Sequence, residues 1–460
     1  MHRISLQSLD DAFYARKGVE MARSGNFFTV TLGEEAAFQN PPLQFWIMGR
    51  SFVLFGENDF AARLPFVVMA VVMLIATVRI GALTVGRDAG VTAVALLLIT
   101  PIFSSTARGT MMEIPFGCWV TLTFLLFLEG VSSVSGVNAA FDSARHTRWH
   151  LLMALPIAGA ILTKSVLGVV PLMVVPVMLA LSPDLRRRCG AATWIGLLLG
   201  VALGFSWPIQ QWFVFGDVAI QQHFLGQVLE PSTQAVGIMS RLIGYPLILL
   251  RSYQPILFPG LAGAVMLAMA TRNARSAQGV GENWRGLLLV VWIVVPVAIA
   301  SLSSAQSSRY IFAILAPLAL CAAWWLLRVM PRAAAFVTRW FTPALAVAAA
   351  ITFWVEPTML TRDQNQIFKS QAERLKRDIP AGTTIGYLGT RYWLIANPLL
   401  YYTDRTLTQL ESAAELCDDS RKIAVVFVDE DRKDAVRQQT CGLTPSTMIE
   451  GADWMLLRLK

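Results

Sequence analysis

The sequence predicts a polytopic α-helical membrane protein with a small α/β domain at its C-terminal end. Three observations predict it: an apolar composition, ten apolar runs near the length of a bilayer crossing, and basic clusters on alternate connections. Of 460 residues, 55% are hydrophobic and 15% charged, and mean hydropathy is +0.54, too apolar for a soluble globule of this length. The surplus of +8 charges lies in short clusters between apolar runs. No basic stripe interleaved with aromatics appears, so nucleic acid is not an expected partner. The first 25 residues carry no apolar core of the length that a cleaved signal peptide needs.

Apolar runs of about 20 residues place spans near 62–86, 91–106, 113–131, 150–164, 166–182, 190–208, 253–271, 286–304, 310–328 and 337–355. Basic residues then mark alternate connections: Arg79 and Arg87; Arg145 and Arg148; Arg186, Arg187 and Arg188; Arg272 and Arg275; Arg328, Arg332 and Arg339. The positive-inside rule assigns these to the cytoplasm. Facing outward are residues 1–61, the turn around Arg108 to Glu113, the turn around Lys164, the connection 208–252, the turn 303–309 and everything after Glu356. The expected organisation is an external loop with amphipathic helices at 1–61, a helical bundle at 62–356 and an external α/β domain at 362–460.

This allocation puts Asp10, Asp11, Glu113, Lys164, His223 and Arg309 on the same outer side. Charges at a lipid boundary are costly and commonly functional, so one external site is expected to collect them. Each also has an ordinary reading. Asp10-Asp11 can cap a helix, Glu113 ahead of Pro115 is a normal first-turn residue, Lys164 a normal helix end, Tyr310 an interfacial belt residue, and His223 a packed loop histidine.

The C-terminal segment alternates a charged helical pattern, QIFKSQAERLKRDIP, with short apolar runs, TTIGYLG and KIAVVFVDED, that read as buried strands. No Gly-rich phosphate loop follows either run, so no nucleotide cofactor is assigned. Cys417 and Cys441 share this segment, and a bridge between them is one of two open states in an oxidising compartment. Cys118, Cys189 and Cys321 lack metal-ligand spacing and read as small apolar residues.

The stretch DDAFYARKGVEMARSG from Asp10 to Gly25, NPPLQFW from Asn40 to Trp46 and NDFAARLP from Asn58 to Pro65 together resemble the first external loop of bacterial polyprenyl-phosphate-sugar-dependent glycosyltransferases. That family includes the protein O-mannosyltransferases and the lipid A aminoarabinose transferases. The resemblance covers about residues 8 to 330, with its specificity in the first loop. It implies a GT-C fold and transfer of a sugar from a polyprenyl-phosphate carrier to an acceptor hydroxyl or phosphate on lipid, glycan or protein, at the outer face of the inner membrane. It also implies an amino-terminal span before the acidic motif, so this chain is expected to lack about one span.

By the same resemblance Asp10 is the carboxylate that activates the acceptor and Glu113, in GTMMEIPFG, supports it. Lys164, Arg309, Tyr310 and His223 would contact the donor, and Asp11, Tyr14 and Asn40 would support the site. Two departures stand out. The arginine that often precedes the motif's tyrosine is Phe13 here, and the Glu-Lys that many members carry before the double proline is Gln39-Asn40. The second weakens a metal site shared with His223, and leaves a divalent metal an open question. The alternative function is a transporter of a lipid-linked or small polar substrate, which would show inverted repeats or Gly/Pro-broken span pairs.

Overall fold

The computed structural model describes residues 5–6, 9–33, 35–132, 143–229, 237–276, 284–355, 365–417, 423–432, 434, 436, 445–450 and 454–459. Most of these are helical. The outer loop opens with α1 (Leu9–Ser24) and closes with α2 (Leu43–Phe55), joined through a short antiparallel ribbon of β1 (Thr31–Leu32) and β2 (Glu35–Ala36). Pro41 and Pro42 set the entry to α2, and Gly56, at a φ of 78°, ends it. Asn58 then starts α3 (Asp59–Thr84): its side chain accepts the Ala61 N–H at 2.9 Å, the standard way to satisfy a free first-turn donor.

The bundle continues with α4 (Arg87–Ile99), which Pro101 separates from α5 (Pro101–Thr106), and α6 (Glu113–Ser132). Next come α7 (Ser143–Leu152), α8 (Ala154–Lys164), a tight turn at 165–169 and α9 (Val170–Leu181). The helical stretch His146–Leu181 holds 36 residues and would measure about 54 Å if straight, well beyond a hydrocarbon core of about 30 Å. It is not straight. Ser165 takes a φ of 50°, and the chain folds back so far that a Cβ on Gly168 would lie 2.3 Å from the Ile161 nitrogen. Glycine is required there because backbone meets backbone. The short basic helix α10 (Pro183–Arg188), capped by Ser182, leads to α11 (Ala191–Phe215). A short α12 (Asp217–Ile220) and a π-helical stretch, Gln221–Leu229, follow.

Among the described residues five helices are long and apolar enough to cross a membrane, or six if the pair Met239–Ser252 and Leu257–Arg272, bent by 117°, is one span. Trp284–Ala300 and Val337–Ile351 are apolar but shorter. The connection read at 208–252 is helical over Ile238–Ser252, and this corrects the loop expected there. Pro246 and the flanking Arg241 and Arg251 interrupt the apolar run, yet the helix passes through them. Phe213, Val214, Leu247 and Val265 are among many apolar side chains left exposed on these helices, a surface suited to lipid.

After the bundle the chain builds a five-stranded sheet in the order β4-β3-β5-β7-β6. Its strands are β3 (Ile385–Leu388), β4 (Leu407–Gln409), β5 (Val425–Asp429), β6 (Pro445–Glu450) and β7 (Trp454–Leu459). β3 runs parallel to β4 and β5, while β7 is antiparallel to β5 and β6. Both faces of β5 are buried, consistent with its apolar run Val425–Val428. The sheet unit packs on α1 and α3. Tyr402 Oη accepts the Leu6 N–H at 2.8 Å, and Lys369 pairs with Asp59 at 2.7 Å. Asp404, just past the helix Tyr392–Thr403, pairs with Arg16 and Arg23 of α1. The bridge left open between Cys417 and Cys441 falls on Cys441, which lies outside the described residues.

Candidate active site

The helical spacing of α1 puts Asp10, Tyr14 and Lys17 on one face. Asp10 accepts Arg309 Nη1 on Oδ2 at 2.7 Å, and both side chains are partly exposed. Glu113, at the start of α6 and only 3% exposed, accepts Lys164 Nζ on Oε1 at 2.7 Å. Its other oxygen, Oε2, has no hydrogen-bond partner among the described residues, an unusual state for a buried carboxylate. Lys164, at the C-terminal end of α8, also donates to the Arg309 carbonyl at 2.9 Å. Two carboxylates and two cations from four separate parts of the chain therefore form one connected cluster.

Tyr14 stands within electrostatic reach of this cluster. Burial, then the charges of Asp10 and Glu113, push its phenol well above the ordinary tyrosine range, while Arg309 pulls the other way. It is a neutral O–H donor at any working pH. Tyr310 presents its ring 6.0 Å from Lys164 Nζ, within the range of a cation–π contact. Asp11 is buried, and its Oδ1 accepts the Thr110 N–H at 2.7 Å and the Thr110 hydroxyl at 3.0 Å. It ties α1 to the turn that precedes Glu113, a role that the capping reading did not anticipate.

His223 and Asn40 lie on an adjoining arc. His223 is buried, donates Nδ1–H to the Phe38 carbonyl at 2.8 Å and accepts the Ser165 hydroxyl on Nε2 at 2.9 Å. Burial lowers its pKa, which fits a neutral ring with one donating and one accepting nitrogen. Asn40 Oδ1 accepts Lys17 Nζ at 3.2 Å, and its Nδ2 lies 4.0 Å from Met112 Sδ, one residue before Glu113.

The donor set around Gln39 and His223 does not fit a divalent metal. Both His223 nitrogens are engaged, and the Gln39 amide oxygen faces the Lys17 amine at 3.4 Å. No group of three or more His, Cys, Asp or Glu that could hold a metal occurs among the described residues. Sequence reasoning missed Lys17, Thr110 and Ser165. For Lys17 the available signal was its seven-residue spacing from Asp10.

Residues 39–212 match the family model described as dolichyl-phosphate-mannose-protein mannosyltransferase. The chain is similar to an undecaprenyl phosphate-alpha-4-amino-4-deoxy-L-arabinose arabinosyl transferase of Shewanella sediminis, 23% identical over 328 residues, covering 68% of this chain and 55% of that one. An uncharacterized protein of Aquifex aeolicus is 28% identical over 252 residues, 54% of each chain. The chain thus spans about half the length of these curated relatives. Among solved structures, ArnT from Cupriavidus metallidurans bound to undecaprenyl phosphate superposes with a TM-score of 0.70 at 16% identity, covering 99% of this chain and 94% of that one. The Archaeoglobus fulgidus oligosaccharyltransferase in complex with Zn and sulfate gives 0.53 at 12% identity, covering 95% and 66%. The first-loop motifs and the family model matched over residues 39–212 make the chain similar to the protein mannosyltransferases and the arabinosyl transferases, and nearly its whole length shares the fold of ArnT.

Proposed function

We propose that the protein is a membrane glycosyltransferase that moves a sugar from a polyprenyl-phosphate carrier to an acceptor on lipid, glycan or protein. The reading places the reaction at the outer face of the bacterial inner membrane. One observation carries it: Asp10–Arg309 and Glu113–Lys164 are joined through the Lys164 bond to the Arg309 carbonyl. A transfer of this kind needs a base near the acceptor oxygen and fixed positive charge at the departing phosphate, and this cluster supplies both side by side.

In the proposed step the acceptor hydroxyl oxygen bonds to the anomeric carbon as the bond from that carbon to the phosphate oxygen breaks. The hydroxyl proton passes to Asp10, and the polyprenyl phosphate leaves with the bonding pair. Arg309 and Lys164 stabilise the charge that grows on the phosphate. Glu113 holds Lys164 in place and offers its free oxygen to the acceptor, while Tyr14 and Tyr310 shape the sugar pocket. A binding partner for Arg309 also frees Asp10, because one guanidinium edge cannot serve both anions at full strength.

The match to arabinosyl transferases and the likeness to a structure bound to undecaprenyl phosphate support this reading and do not favour the transporter alternative. The test is Asp10→Asn, which keeps size and removes basicity. Transfer from undecaprenyl-phosphate-sugar should fall by about a hundredfold or more, with membrane insertion unchanged. Near-normal transfer by that variant would sink the assignment.

A further inference from the structure

Lys17 is a cation that the proposed mechanism does not use. It is 0% exposed, and the polar atoms that hold its amine are two neutral oxygens, Gln39 Oε1 at 3.4 Å and Asn40 Oδ1 at 3.2 Å. Aromatic rings complete the shell, Phe13 at 4.1 Å and Phe45 at 5.5 Å from the nitrogen. An ammonium in such a shell has no counter-charge in contact, an arrangement that favours either loss of the proton or arrival of an anion.

The groups around it do not supply that anion. Glu20, on the same helix, accepts Arg16 Nε at 2.8 Å and the Gly33 N–H at 2.8 Å. On the helix that packs from the sheet unit, Tyr401 and Tyr402 are neutral phenols, and Asp404 beyond its end is held by Arg16 and Arg23. On α2 the charged group is Arg50, and β1 carries none. Burial accordingly pushes the Lys17 amine down to about 7, with Glu20 acting in the opposite sense.

Two further facts mark this turn as a place for a ligand. Gln44, in the first turn of α2 and 1% exposed, has neither amide atom hydrogen-bonded among the described residues. Asn40 reaches toward Met112, the neighbour of Glu113, so the turn adjoins the catalytic cluster. Asn40 also stands where many members of the family carry lysine, and Lys17 returns a cation to that turn from α1.

We propose that Lys17 completes the donor-phosphate site, its ammonium pairing with the anionic headgroup at the Gln39–Asn40 turn alongside Lys164 and Arg309. The inference rests on the polyprenyl-phosphate reading above. Its consequence is that the amine takes up a proton as the phosphate arrives, since the new anion restores the charged form.

The experiment is calorimetric titration of undecaprenyl phosphate into the full-length protein in detergent at about pH 8, in two buffers of different ionisation enthalpy. The wild type should bind with proton uptake. Lys17→Met should bind about tenfold more weakly, the scale of one charged hydrogen bond, and without that uptake. Lys17→Arg should bind with no uptake, because its charge is permanent. Without lipid, Lys17→Met should melt no lower than wild type, which excludes a folding defect. Wild-type affinity with proton uptake in Lys17→Met would overturn the proposal and leave Lys17 a packed amine. A wild type that fails to bind the carrier at all would instead sink the donor reading itself. Inorganic phosphate at matched concentration should give no proton uptake, and an equal response would reassign the turn to free phosphate.

Discussion

Asp10 holds an ion pair that, in the proposed reaction, loosens as the carboxylate takes a proton. Arg309 is the partner, and a phosphate at the same guanidinium would compete for it. Arg309→Ala should therefore weaken binding of undecaprenyl phosphate by roughly 1.5–3 kcal/mol, the scale of a charged hydrogen bond. Titration of the carrier into the purified variant measures this, and unchanged affinity would place the phosphate elsewhere. Glu113 and Lys164 make a second test because both are largely buried. Lys164→Met alone leaves a buried carboxylate without its cation and should destabilise by about 3–5 kcal/mol, whereas the double variant with Glu113→Gln should recover much of that loss. Thermal melting of the three variants checks it, and additive losses would show that the pair is not coupled. Asp10, Glu113, Lys164 and Arg309 were legible because motif position and the outward side selected the same residues, and the structure brings these four together. Lys17 was not, because beside Arg16 it has the pattern of any basic helix surface. Only the folded turn at Gln39 and Asn40 reveals that its amine is enclosed.

The segment 303–309 sets where Arg309 points, and a helix read as a loop from sequence holds it. From Ile238–Ser252, Arg241 donates to Ser304 Oγ at 2.9 Å and accepts Gln306 Nε2 on its carbonyl at 2.8 Å. Tyr253, just beyond, donates to the Ser308 carbonyl at 2.9 Å. Gly244 lies under this clasp, and a Cβ there would fall 1.7 Å from Gln306 Oε1. Gly244→Val should thus displace Gln306, loosen Arg309 and lower donor affinity several-fold, on the order of 1 kcal/mol for a lost hydrogen bond. Equal donor affinity in calorimetry would mean that the clasp does not position Arg309. Apolar runs found helical segments, since period and length both report on burial, but against ten runs read as spans, five helices, or six with the bent pair, are long and apolar enough among the described residues. They failed at 238–252, where Pro246 and two arginines break the run. They did place a turn at Lys164, between the runs 150–164 and 166–182, but not its tightness, which rests on Gly168 meeting the Ile161 backbone.

At the scale of the whole molecule, orientation is the frame for every site assignment. Cysteines introduced at positions 30 and 380 should react with an impermeant thiol reagent in cells with a permeable outer envelope, and one at 275 only after lysis. Labelling of 275 from outside would turn the cluster to the cytoplasm and end the polyprenyl-phosphate reading. The seat of the sheet unit on α1 should depend on pH. Burial raises the pKa of Asp404, but Arg16 and Arg23 outweigh it and leave the carboxyl below its usual value. The sign follows: the contact contributes above the ordinary carboxylate range and is lost as pH falls through the lowered value. Hydrogen exchange of α1 amides should accelerate below about pH 4, and Asp404→Asn should remove that dependence. The same contact has a mechanical side. From Asp10 to Arg23, α1 is a stiff rod of about 20 Å that carries the proposed base, and the sheet unit holds it along its length, at Leu6 just ahead of it and at Arg16 and Arg23. A shift of about 2 Å in that seat would be carried by the rod to Asp10, enough to break a hydrogen bond. A domain that touches none of the reacting groups therefore works as the clamp of the rod. Any ligand or partner that shifts it would detune the carboxylate from afar.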